Sequence, residues 1–98
     1  MNKLKLALIT GATKGIGRST AISFSDAGWD LILLARNIDM LEDLKKELSD
    51  SGNKIYICRC NLSKPNEINI AVNDIIKISG CPSVLINNAG FAYNGDLI

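Results

Sequence analysis

Four short apolar runs alternate along this chain with stretches whose apolar residues fall at helical spacing, and that alternation limits the fold more than any other feature. The runs are Leu4 to Ile9, Leu31 to Ala35, Ile55 to Cys60 and Val84 to Ile86. Each has strand length and is too short for a helix. Between the first two, Lys14 to Ala27 carries Ile16, Ala21, Phe24 and Ala27, with Gly28 as a stop. The next stripe is Leu41, Leu44 and Leu48, with Asn37 placed to cap it and Ser51-Gly52-Asn53 to end it. The third is Ile68, Val72, Ile75 and Ile76, starting at Ser63 or Lys64 with Pro65 in its first turn and broken by Gly80-Cys81-Pro82. The expected fold is βαβαβαβ, an α/β parallel sheet with right-handed crossovers and helices on both faces. The run Leu31 to Ala35 is apolar on both faces, as a central parallel strand must be.

The 98 residues permit a single domain, 1–98. A formal net charge of +1 gives no reason to expect nucleic acid as a partner. Lys3, Lys5, Lys14 and Arg18 all precede the first acid, Asp26, which fits either chance or a local role in anion binding. No run approaches the roughly 20 apolar residues of a membrane span. The apolar run after Lys5 is also too short for a signal-peptide core, so a cytoplasmic location is expected. Cys58, Cys60 and Cys81 are an odd, sparse set without any histidine in the chain; buried free thiols are expected, not a metal site or a disulfide framework. Trp29, beside Gly28, is expected to pack at a helix-to-strand corner.

The segment "TGATKGIG", Thr10 to Gly17, lies between the first strand and the first helix. A pyrophosphate can meet helix N–H groups and the positive end of the helix dipole there. Its spacing is Gly-x-x-x-Gly-x-Gly. The residue five after Gly11 is Ile16, so it is not a P-loop. Gly11 permits the turn off the strand, Gly15 leaves room for phosphate, and Gly17 lets the helix pack close to the sheet. Thr13 offers a hydroxyl. A glycine-rich turn without a ligand remains the alternative at this point.

"TGATKGIG" resembles the cofactor motif of the short-chain dehydrogenase/reductase family, and "NNAG", Asn87 to Gly90, resembles that family's second signature at its usual separation. The resemblance covers the chain from Leu4 onward. It implies a Rossmann-like doubly wound sheet of strand order 3-2-1-4 that binds a nicotinamide dinucleotide. Carried over by position, Gly11, Thr13, Lys14, Gly15, Ile16 and Gly17 would surround the pyrophosphate and adenosine ribose. Asn88, Ala89 and Gly90 would line the adenosine side, with Asn88 also able to brace the central strand. Asn61-Leu62 matches the family's Asp-Leu after strand three; the amide oxygen of Asn61 could accept from the adenine amino group, or Asn61 could be a simple turn residue.

The place where an NAD site wants an acid, about 20 residues after the motif, holds Ala35-Arg36. A guanidinium suits a 2′-phosphate and a carboxylate would repel it. With Lys14 as a second cation, NADP is expected over NAD. The other reading of Arg36 is a solvated residue near a helix start.

In the family, chemistry rests on a tyrosine with a lysine four residues later, plus a serine and an asparagine. Tyr56 is followed at four by Cys60 and Tyr93 by Leu97, so residues 1–98 hold no Tyr-x-x-x-Lys. The chain therefore reads as the cofactor half of an oxidoreductase acting on a small carbonyl or alcohol, with no catalytic residue among 1–98. Ile98 is expected to be a cut in a longer protein, which would leave Val84 to Ile86 as an open apolar edge prone to self-association. A homo-oligomer is expected, with no membrane or nucleic-acid partner. The second function class is a non-catalytic dinucleotide-binding or assembly module.

Overall fold

A computed structural model of the chain describes residues 5–88. The elements are β1 (Leu6–Thr10), α1 (Gly15–Asp26), β2 (Asp30–Ala35), α2 (Ile38–Leu48), a 3₁₀ turn at Ser49–Ser51, β3 (Ile55–Arg59), α3 (Pro65–Ser79) and β4 (Val84–Asn87). Ala89 and Gly90, the second half of the "NNAG" signature, lie outside the described residues, as do Leu4, Phe91 and Tyr93.

The strands form one parallel sheet of order β3-β2-β1-β4, the expected α/β Rossmann-like arrangement. Because the chain leaves β1 first to one side and later to the other, a crevice opens at the carboxyl ends beside β1. Strand alternation divides the core into two layers. Ala7, Ile9, Leu31, Leu33 and Ala35 pack with Ala21, Leu41, Leu44 and Leu48 of α1 and α2 on one face. Leu6, Leu8, Ile32 and Leu34 pack with Ile68, Val72 and Ile75 of α3 on the other. Leu31 to Leu34 have no exposed surface, so β2 is buried on both faces. Each fully buried leucine or isoleucine there contributes roughly 1.5–3 kcal/mol relative to exposure. On the outer strand β4, Val84, Leu85 and Ile86 are only half-buried.

At the amino end of the sheet the loops close on themselves. The C-terminus of α1 is a Schellman motif. Gly28 at φ +90 donates its N–H to the Ser25 carbonyl at 3.0 Å, and Trp29 donates to that of Phe24 at 3.0 Å. The accompanying apolar contact is the edge-to-face pair of Phe24 and Trp29, ring centroids 5.2 Å apart, so Trp29 packs at the corner as the sequence suggests. Asn53 Nδ2 donates to the Ser25 carbonyl at 2.7 Å, and the Lys54 N–H donates to Asp30 Oδ1 at 2.9 Å. These bonds hold the turns away from the crevice and leave the opposite end free to carry a site.

The thiols differ from the sequence reading in one respect. Cys60 is buried and Cys58 half-buried, but Cys81 is exposed. It sits in the Gly80-Cys81-Pro82 break, where the chain leaves α3 before β4 begins.

Candidate functional site

The turn from β1 into α1 is shaped by its glycines. Gly11 has φ +62 and Gly15 φ +52, left-handed values that a side chain at either position would strain. An added Cβ on Gly15 would meet nothing within 4 Å, so this position faces open space. Gly17 differs. A Cβ there would collide with the carbonyl oxygen of Gly11 and come within 2.8 Å of its carbonyl carbon. The close approach that Gly17 permits is therefore between the helix and its own entry turn, where the sequence suggested the sheet.

Helix α1 starts without a cap. Lys14 occupies the N-cap in an extended conformation, makes no side-chain cap bond, and the first turn holds no acid. The first N–H groups of the helix, which have no intrahelical partner, and its dipole thus face the crevice uncompensated. Exposed Ile16 lies on this first turn.

Beside this turn opens a pocket of about 570 Å³. Thr13 and Lys14 line it from the glycine turn, Arg36 and Asn37 from the end of β2, Ile38 and Met40 from the start of α2, and Arg59 from the end of β3. Among the described residues no carboxylate lines it. Lys14, Arg36 and Arg59 are exposed, and among the described residues none of them forms an ion pair. Arg18 is not part of this group. It pairs with Glu47 of α2 at 2.5 Å, which removes it from the cations that could serve an anion.

Arg59 was not evident from the sequence. The signal that finds it is register: β2 and β3 run parallel with Ala35 opposite Arg59, so a residue ending β3 stands beside the residues that follow β2. Arg59 Nε donates to the Arg36 carbonyl at 3.2 Å.

Of the other predicted residues, those among the described ones do not line this pocket. Asn61 is a turn residue. Its Oδ1 accepts from the Ser63 N–H at 3.0 Å and from Ser63 Oγ at 2.6 Å, while its own N–H donates to Glu67 at 3.2 Å. Any adenine amino group would share that oxygen with Ser63. Leu62 packs against the α3-side core. The brace between β1 and β4 comes from Thr10 and both asparagines. Thr10 Oγ1 donates to Asn87 Oδ1 at 3.0 Å and accepts from the Asn88 N–H at 3.1 Å. The side chain in the brace is thus that of Asn87, where the sequence pointed to Asn88. Asn88 Nδ2 is instead buried with no hydrogen-bond partner among the described residues.

The thiols offer no second chemistry. Burial, reinforced by Cys58 and Glu67, pushes the Cys60 thiol up to about 11, and burial with Asp74 raises Cys58. Both stay protonated near neutrality and are poor nucleophiles. Among the described residues no group of His, Cys, Asp and Glu could hold a metal ion, and no helix is long and apolar enough to cross a membrane.

Strand order, a glycine-built turn and an uncapped helix start at the carboxyl end of β1 define a Rossmann-type nucleotide-binding architecture. The profile of the short chain dehydrogenase family matches residues 5–97. The mouse protein dehydrogenase/reductase SDR family member 7B is 38% identical over 96 residues, 94% of this chain and 30% of that protein. The 7alpha-hydroxysteroid dehydrogenase of Escherichia coli K12 is 34% identical over 86 residues, 88% of this chain and 34% of that one. Among solved structures, a short-chain dehydrogenase from Sphingobium yanoikuyae in complex with NADPH superposes with a TM-score of 0.78 at 38% identity, covering 94% of this chain and 36% of that one. L-Sorbose reductase from Gluconobacter frateurii, complexed with NADPH and L-sorbose, gives 0.81 at 29% identity, covering 94% and 35%. The chain belongs to the short-chain dehydrogenase/reductase family and spans about a third of the length of these relatives.

Proposed function

We propose that this chain is the cofactor-binding part of an NADP-dependent oxidoreductase that interconverts a small carbonyl compound and its alcohol. The observation that carries the reading is the pocket beside the uncapped start of α1, lined by Lys14 and Arg36 and, among the described residues, by no carboxylate. The residues present fit a dinucleotide. Gly15 leaves space where phosphate would approach, the first N–H groups of α1 offer donors, and the buried Nδ2 of Asn88 lacks, among the described residues, a partner that a ribose hydroxyl could supply.

When bound, the nicotinamide supplies or accepts the hydride. This chain's residues bind and orient: the α1 N–H groups and Thr13 hold the pyrophosphate, and Lys14 with Arg36 hold the 2′-phosphate. Relatives solved with NADPH, such as the Sphingobium and Gluconobacter enzymes, support the same reading. Residues 1–98 alone are proposed to turn over no substrate, since they hold no Tyr-x-x-x-Lys.

Calorimetric titration with NADPH and NADH tests the reading; tighter NADPH is expected, and equal or reversed affinity contradicts it. Position 36 is the place to alter the preference. Ala35 is buried, so a charge there costs desolvation unless it is paired, whereas Arg36 is exposed. Arg36→Asp should shift preference toward NADH by on the order of 1–3 kcal/mol.

A further inference from the structure

We propose that Arg59, at the end of β3, is a third cationic ligand of the cofactor's 2′-phosphate and a determinant of the preference for a phosphorylated ribose. This rests on the NADP reading above and adds a residue from a different strand to it.

Three observations converge. Arg59 lines the same pocket as Lys14 and Arg36. Its Nε donates to the Arg36 carbonyl at 3.2 Å, which orients the guanidinium across the gap between β2 and β3. That bond uses one of five N–H donors, and no other hydrogen bond or ion pair engages this side chain among the described residues. A planar group held at Nε with its terminal nitrogens unengaged is arranged for bidentate contact with a phosphate.

Parity along the strand supports the assignment. On β3, Ile55, Ile57 and Arg59 share one face, the face of α1 and α2 on which the pocket opens. Tyr56, Cys58 and Cys60 point to the α3 side. The pocket also receives the start of α2, whose Asn37 cap satisfies only the Met40 N–H and leaves earlier N–H groups of that turn unbonded by a side chain. A phosphate seated there would meet Lys14, Arg36 and Arg59 from three different elements. A ribose hydroxyl is neutral and gains little from a third cation.

The test uses adenosine 2′,5′-bisphosphate and adenosine 5′-monophosphate, which differ only in the 2′-phosphate. Their binding to the purified protein is read by calorimetry, without turnover. Arg59→Met should weaken the bisphosphate by about tenfold and leave the monophosphate unchanged. The slope of log affinity against log salt for the bisphosphate should become shallower. Arg59→Lys keeps the charge and loses the Nε tether, so its loss should be smaller and again confined to the bisphosphate; it carries the test alone if the methionine variant does not fold. Equal losses for both ligands would mean that Arg59 only supports the fold. Unchanged bisphosphate binding in a protein that still prefers it would overturn the role of Arg59 and leave the NADP reading standing. An unaltered protein that binds the two ligands equally would overturn both.

Discussion

Helices α1 and α2 start at the same end of the sheet, beside one pocket, and they start in opposite ways. Asn37 caps α2 with its own side chain, accepting from the Met40 N–H at 3.2 Å, and Asp39 sits in the first turn against the dipole. Helix α1 has Lys14 at its cap, no side-chain bond and no acid. Local stability alone favours the α2 design, by roughly 1 kcal/mol for a good cap. The sequence at α1 forgoes that stabilisation and puts a cation and three glycines in its place. Helix α2 meets part of its first turn with its own side chains, whereas α1 has no side-chain cap bond and no acid in its first turn.

The comparison can be broken at its tightest point first. Gly17→Ala places a Cβ against the Gly11 carbonyl, so the turn and α1 cannot both keep their positions. The expected cost is about 3 kcal/mol in urea unfolding. No loss, or the small gain of Gly→Ala at an ordinary exposed helix position, would mean the turn yields freely and is no rigid cradle. A smaller effect belongs to the other helix: Asn37→Ala should cost about 1 kcal/mol by the same measurement, through loss of the α2 cap. No change there would remove the contrast between the two starts.

Much of this was legible in the sequence because it depends on local pattern. The apolar runs placed all four strands, and Leu41, Leu44 and Leu48, read as one stripe, are the buried residues of α2. The strand order came from the family resemblance of the two motifs, and the sheet has it. Asn37 and Pro65 marked their helix starts correctly. The residues that were missed are defined by long-range neighbours. Arg59 joins the pocket only through the parallel register of β2 and β3. Arg18 leaves the basic group only because Glu47, 29 residues away, comes to lie beside it. The bracing role of Asn87 depends on Thr10, 77 residues earlier in the chain. Composition carries no trace of such pairs.

The most direct measurement gives α1 the start that α2 has. Lys14 sits at an extended N-cap with φ −137 and ψ 151, a conformation suited to an aspartate cap. Without ligand, Lys14→Asp should raise unfolding stability by about 0.5 kcal/mol through the cap and the helix dipole. With saturating NADPH, the variant should gain much less stability than the unaltered chain, because its own carboxylate occupies the donors and repels the phosphates. If the variant is no more stable alone and NADPH stabilises it as strongly as the unaltered chain, the start of α1 is not held open for an anion.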